Sequence, residues 1–203
     1  MTMNEDIEKS YKLYLSQQYE IAGFPLNGTV INKQVFLDRY DEIPQTMLEA
    51  IDALKKKQNI FVALDSNDIQ WKYDIVCYLL NTFFVNSANV YDEDEYSVQT
   101  FAKWVDSPIW FPKFDRDPDY DTMKAIRFVY MNSLIDFALH YKNHVYLMSN
   151  LLTFRKNSNV VTVIDAGDGD MNIFKTAFDH PVFSEQTKKM LLSNSIFIKM
   201  TSE

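Results

Sequence analysis

Carboxylates supply most of the groups in this chain that could do chemistry. Asp115, Asp117, Asp119 and Asp121 alternate in DRDPDYD, and Asp165, Asp168 and Asp170 cluster in DAGDGD. Acids at the end of a strand are the oxygen ligands that magnesium or calcium takes, and such groups could run a metal-dependent phosphoesterase or nuclease. That enzyme requires both clusters to face one pocket. DAGDGD lacks the bidentate acid that a calcium loop carries a few residues on, since MNIFKT follows. The plainer reading is solvated turns in which Gly167 and Gly169 serve backbone geometry. His140 and His144 stand four apart, as helical metal ligands do, but no glutamate lies between them. With His180 the only other histidine, structural or surface roles are expected. Cys77 falls within an apolar helical pattern and reads as core, and no serine occupies a G-x-S-x-G elbow.

The most informative constellation is a turn. The apolar run NIFVAL reads as a buried strand, and the residues after it, D-SNDIQWKY, lead into a helix. In nucleotide-binding α/β domains this is where phosphates meet backbone N–H groups and a helix dipole. The pattern for such a turn is G-x-x-x-x-G-K-[ST], with glycines for the cradle, a lysine for the outer phosphates and a hydroxyl for magnesium. Only Lys72 fits. Ser66 and Trp71 stand at the two glycine positions, and Tyr73 replaces the hydroxyl residue. Indole bulk is expected to intrude where backbone should wrap a phosphate, and Asp65 and Asp68 carry the wrong charge for ATP. The chain has four glycines, Gly23, Gly28, Gly167 and Gly169, so every site built on a glycine-rich turn is excluded between Thr29 and Ala166. No cofactor is expected.

The elements that must position these groups follow from periodicity. Ile7, Tyr11, Tyr14 and Leu15 mark a short polar helix, and 21–41 reads as a loop. Pro44 opens a helix to about Lys57, with Met47, Leu48, Ile51 and Leu54 on one face. After NIFVAL, a helix is predicted over 73–84, a strand over 87–91 and a short helix from the acidic DEDEY through Trp104. Ile109 to Phe111 could form a short strand in a proline-broken stretch. A long helix is predicted over 120–141, strands over 143–152, 160–165 and 195–200, and a helix over 184–192 with Ser184 as its cap. Strands alternating with helices predict an α/β fold whose mostly parallel sheet is covered by helices on both faces. The expected organisation is an N-terminal helical arm and loop, 1–44, followed by one α/β domain, 45–203.

With 203 residues, 47% apolar, there is enough chain for one sizeable core. A net charge of −8 and an isoelectric point near 4.9 repel phosphate backbones, so direct nucleic-acid binding is not expected. One cysteine excludes a disulfide framework and a multi-thiolate metal site. The charged start shows no secretory pattern and no apolar run reaches the ~20 residues of a spanning helix, so a cytoplasmic protein without membrane association is expected. Trp104, Trp110, Phe111 and Phe114 lie in the proline-broken stretch, either padding the sheet or forming a surface for a protein partner. A base-stacking platform would want lysine and arginine beside them. Lys55, Lys56 and Lys57 suit a solvated helix end.

In its order of elements the chain resembles the AAA+ ATPase domains of bacterial and phage replicative helicase loaders. Those domains are similar in having a polar arm, a helix before the first strand (here 45–57), the P-loop turn and its helix. Their Walker B strand corresponds to IWFPKFD, which keeps Asp115 and lacks a second acid. Their sensor strand, ending in Ser-Asn, matches VYLMSNLL, so Ser149 and Asn150 take that position. Their arginine-finger helix matches SEQTKKMLL, where Lys188 and Lys189 stand instead of arginine. The resemblance runs from about Tyr11 to Met200 and implies a P-loop NTPase-like, AAA+-like fold. Phosphate cradle, magnesium ligand, acidic pair and arginine finger are each altered, and loss of the finger alone typically lowers the rate by ~10³ or more. The resemblance thus implies a non-catalytic pseudo-ATPase that binds a protein of DNA replication such as the replicative helicase, as accessory or antagonist. A metal-dependent phosphoesterase and an unrelated α/β interaction protein are the alternatives.

Overall fold

The run from Ile60 through Leu64 is apolar at every position, which suits only a strand covered on both faces. In the computed structural model of the chain this is β1 (Ile60–Asp65), an inner strand of the sheet. The structure describes residues 31–56, 58–66, 68–88, 128–131, 145–158, 160–165 and 185–200, together with Lys9 and Leu13, both helical. The chain enters through α1 (Lys33–Tyr40) and α2 (Gln45–Lys55), passes through β1, and leaves along α3 (Ile69–Ala88). Then follow β2 (Phe128–Met131), α4 (Val145–Lys156), β3 (Val161–Asp165), α5 (Glu185–Asn194) and β4 (Ser195–Lys199). The four strands form one all-parallel sheet in the order β2-β3-β1-β4. This is an α/β architecture.

Side chains alternate across the sheet, as the two-residue period requires. Ile60, Val62 and Leu64 of β1, Val161 and Val163 of β3, Phe128 and Tyr130 of β2, and Ile198 of β4 join one core cluster. Against them pack Phe36 of α1, Met47, Ala50, Ile51 and Leu54 of α2, and Trp71, Ile75, Val76, Leu79 and Leu80 of α3. The intervening Phe61, Ala63, Val129, Thr162 and Ile164 are buried on the opposite face, where Arg155 of α4 bonds Thr162 and α5 contacts both α4 and β1. The general preference of parallel strands for right-handed crossovers accounts for this placement. The chain moves outward from β1 to β2 over one face, then returns across the sheet to β3 and β4 over the other. Each fully buried Leu, Ile or Phe contributes ~1.5–3 kcal/mol.

Two polar clusters fasten helices to this core. Asp74 of α3, almost wholly buried, accepts hydrogen bonds from Arg39 Nη1 (2.6 Å), the Tyr40 hydroxyl (2.9 Å) and Gln70 Nε2 (3.0 Å), tying α1 to α3. Burial first, and the bond to Asp74 second, raise the Tyr40 phenol above its ordinary value of 10.0. On the opposite face Arg155 is fully buried, donating to Thr162 Oγ1 (2.8 Å) and to the Val161 carbonyl (2.7 Å). Burial lowers its guanidinium from 12.5 to about 9. Asn59 Nδ2 caps the end of α4 by donating to the carbonyls of Arg155 (2.9 Å) and Lys156. Among the described residues the one positive-φ turn of a non-glycine residue is Asp41 (φ 60°), just after α1, in a stretch where no glycine is available.

Several expectations change. The segment 120–141, predicted as one helix, contains β2: Phe128, Val129 and Tyr130 are all buried, and an apolar run without a polar side suits a two-sided strand better than a one-sided helix. The strand predicted over 143–152 gives way from Val145 onward to helix α4, which continues to Lys156. A twelve-residue segment rich in leucine and methionine is too long for an ordinary strand and favours helix. Ser87 and Ala88, expected in a strand, close α3, which spans Ile69–Ala88 rather than 73–84. The predicted loop over 21–41 contains α1, begun by Asn32, whose side chain accepts the Val35 N–H (3.0 Å). Its polar sequence gives little amphipathic signal. The helix before β1 and the strands at 60–65, 161–165 and 195–199 stand where the periodicity put them.

Replacing Asp74 by Ala should lower the unfolding free energy by about 2–3 kcal/mol in urea denaturation, because Arg39 and Tyr40 lose their shared acceptor. Leu48→Ala, at an exposed position of α2, should change it by less than ~0.5 kcal/mol. The folded state keeps the Tyr40 proton at a pH where the unfolded chain has released it. That part of the stability is complete below pH 10.0, the unfolded value, and is lost as pH rises past it towards the folded value. Urea midpoints measured across the alkaline range should fall less steeply in Tyr40→Phe than in the parent chain.

Candidate functional site

In parallel α/β sheets, ligands bind outside the carboxyl ends of strands where neighbouring connections leave to opposite faces. Here that place lies between β1 and β3. The chain leaves β1 into α3 on one face and leaves β3 towards α5 on the other, and Leu64 is paired with Asp165 at the strand ends. On the far side of β1, Asp65 is paired with Lys199 of β4.

The turn from β1 to α3 closes on itself through side chains. Ser66 Oγ accepts the N–H of Asp68 (3.0 Å) and donates to the Met200 sulfur (3.5 Å). Asp68 Oδ1 accepts the N–H of Trp71 (3.0 Å), and the Asp68 carbonyl accepts the N–H of Lys72 (3.1 Å). Asp68 is thus the N-cap of α3, its carboxylate placed where the positive end of the helix dipole favours an anion. The protein supplies its own negative charge at the position a phosphate would require. Two unit charges ~4 Å apart repel by about 4 kcal/mol at an effective dielectric of 20, and by less beside a carboxylate as exposed as Asp68.

The residues singled out from the phosphate-turn pattern fall as follows. Ser66 is buried in the turn. Trp71 and Lys72 lie in the first turn of α3 rather than in a loop, and Tyr73 packs partly buried against the core. The expectation that the Trp71 indole crowds the phosphate space is corrected: it is 2% exposed and belongs to the core cluster. What stands at the head of α3 is the Asp68 cap. Lys72 is also buried.

Ser149 and Asn150 sit within α4, so they end no strand and lie away from the crevice. The strand beside β1 is β3, and its last residue is Asp165. Lys188 and Lys189 lie on α5, the helix before β4, as expected. Lys188 is buried and donates to Glu185 Oε1 (3.0 Å), while Lys189 is exposed. Cys77 is buried in α3. Asp115, Asp168, Asp170, Trp104, Trp110, Phe111, Phe114 and the three histidines lie outside the described residues. Among the described residues no group of three or more His, Cys, Asp or Glu could hold a metal ion, and no helix is long and apolar enough to cross a membrane.

The sequence alone did not single out Asp74 and Arg155. A lone acid inside the apolar pattern of α3 was the available signal for Asp74, but Arg39 lies 35 positions away and no spacing links them. Arg155 reads from sequence as an ordinary cation at a helix end. Comparison with family models, curated proteins and solved structures returns no match to this chain.

Removing the cap by Asp68→Ala should reduce stability by about 1 kcal/mol in thermal or urea unfolding, the usual effect of losing an N-cap acceptor. Asp68→Asn, which keeps an acceptor oxygen, should lose clearly less.

Proposed function

We propose that this chain is a non-catalytic, degenerate member of the P-loop NTPase-like group, similar to AAA+ helicase loaders, and that it acts by binding a protein partner. The observation that carries this reading is the Asp68 carboxylate bonded to the Trp71 N–H at the head of α3. A turn that satisfies its own N–H groups with a fixed anion has little to offer a triphosphate. The reading is supported by the placement of that turn on an inner parallel strand, beside the crevice, and by a helix with Lys188 and Lys189 leading into the closing strand. A scaffold that keeps the positions of a nucleotide site without its phosphate chemistry is left with its surfaces. The partner that the resemblance points to is a protein of DNA replication, the replicative helicase first, with this chain as accessory or antagonist.

A second reading, a metal-dependent phosphoesterase, is favoured by one observation. The backbone of Asp165, first residue of DAGDGD, stands beside Leu64 at the crevice. A divalent ion there would activate water for attack on a phosphate ester.

Titration with a fluorescent ATP analogue, with and without magnesium, should show no saturable binding at micromolar protein; tight binding would refute the degenerate-site reading. Sedimentation of the chain with purified replicative helicase should give a complex, and absence of any complex would remove that partner. Magnesium- or manganese-dependent phosphodiesterase activity abolished by Asp165→Ala would replace the non-catalytic reading with the enzymatic one.

A further inference from the structure

The segment that carries α1 lies along α3 in antiparallel order. The Asn81 side chain donates to the Ile31 carbonyl (3.2 Å), the Phe36 ring centre stands 5.8 Å from that of Tyr78, and Arg39 and Tyr40 share the Asp74 carboxylate. The last of these ties is a charge-assisted pair with a buried acid: the Asp74 side chain is 3% exposed, that of Arg39 29%. Burial first, then the bond to Asp74 and the charges of Asp74 and Asp68, hold the Tyr40 phenol above its ordinary value. The end of α1 is therefore within electrostatic reach of the capped turn at the head of α3.

Directly after this tie the backbone is strained. Asp41 has φ 60° and ψ −36°, and across it the Glu42 N–H donates to the Tyr40 carbonyl (2.6 Å). A bond from residue i to i+2 around a positive φ is a γ-turn of the rare, strained hand. A Cβ makes that conformation costly, and it persists only where contacts on either side hold it. On one side α2 is anchored in the core by Met47, Ala50, Ile51 and Leu54. On the other, α1 buries a single side chain of its own, Phe36, and relies on Arg39 and Tyr40 reaching Asp74. A polar helix with little burial, joined to a firmly buried one by a strained turn, has what an independently opening unit requires. We infer that α1 is a strap that swings away from α3 about Asp41 as one unit while α2 and the sheet stay folded. Opening relaxes the turn, withdraws Phe36 from Tyr78 and takes the Arg39 guanidinium from Asp74. The position of the strap thus sets the charge presented along the first turns of α3, whatever partner the protein binds.

The experiment is native-state hydrogen exchange, read by nuclear magnetic resonance on the full chain as urea is raised below the unfolding transition. The amides from Phe36 to Asp41, which are bonded within α1 and at its end, should share one opening step. That step should be at least about tenfold more frequent than the opening of Val62 and Ala63 in β1, and less sensitive to urea because it exposes less surface. Arg39→Gln loosens the tie without leaving a cation unpaired and should speed exchange of all these amides by about tenfold. Asp41→Gly should slow it by about threefold, since relief of strain in the closed strap exceeds the freedom glycine gains in the open one. Exchange of the α1 amides only together with those of β1 would overturn the inference. So would rates that fall steadily from one end of the helix to the other, an unchanged rate in Arg39→Gln, or a rate unchanged or raised in Asp41→Gly.

Discussion

β1 is hydrogen-bonded along both edges, to β3 and to β4, and covered on both faces, and most of what is described follows from that position. A strand with no free edge and no wet face must be apolar along its length, and the sequence from Ile60 through Leu64 complies. Its neighbours run parallel to it, so each connection is a crossover, and the helices are divided between the two faces. α1, α2 and α3 cover one side, α4 and α5 the other. Where so buried a strand ends, its chain must turn sharply into a helix whose first N–H groups need acceptors. Ser66 and Asp68 provide them from side chains.

That local solution bears on function. Helix N-termini at the end of a parallel strand are general anion sites, and a phosphate binds there because the backbone leaves N–H groups unpaired. Glycines keep such a turn open by allowing consecutive amides to converge. With no glycine between Thr29 and Ala166, the turn is instead closed by a hydroxyl and a carboxylate, which stabilises α3 and opposes a polyphosphate.

The sequence made three strands legible because short apolar runs bounded by polar residues have few other uses; β1 with Ile60 to Leu64, β3 with Val161 to Ile164 and the edge strand β4 with Ile196 to Ile198 all stand where such runs fall. It misled between 120 and 156. There Phe128 to Met131 and Val145 to Leu152 are both apolar runs, and periodicity alone does not separate a two-sided strand from a buried helix. Helix α1 escaped notice because Lys33, Gln34, Asp38 and Arg39 hide its few apolar positions, while its hold on the core depends on Arg39 and Tyr40 reaching Asp74. At the candidate site the altered residue types were legible, but the group at the head of α3 was misassigned. Indole size drew attention to Trp71, whereas the helical register turns that ring into the core and leaves the smaller Asp68 at the opening. Arg155 shows the same limit: its burial depends on Val161 and Thr162 of β3, six and seven positions on, which it meets because the chain turns back from α4 into the strand.

The most direct test of the account is the backbone amide signal of Trp71, followed in ¹⁵N-labelled protein by nuclear magnetic resonance as magnesium-ATP is added to millimolar concentration. With its N–H already held by Asp68, that signal should keep its position throughout. A saturable displacement of the Trp71 and Asp68 amides, with slowed exchange at both, would mean that a nucleotide displaces the cap and would contradict the central claim.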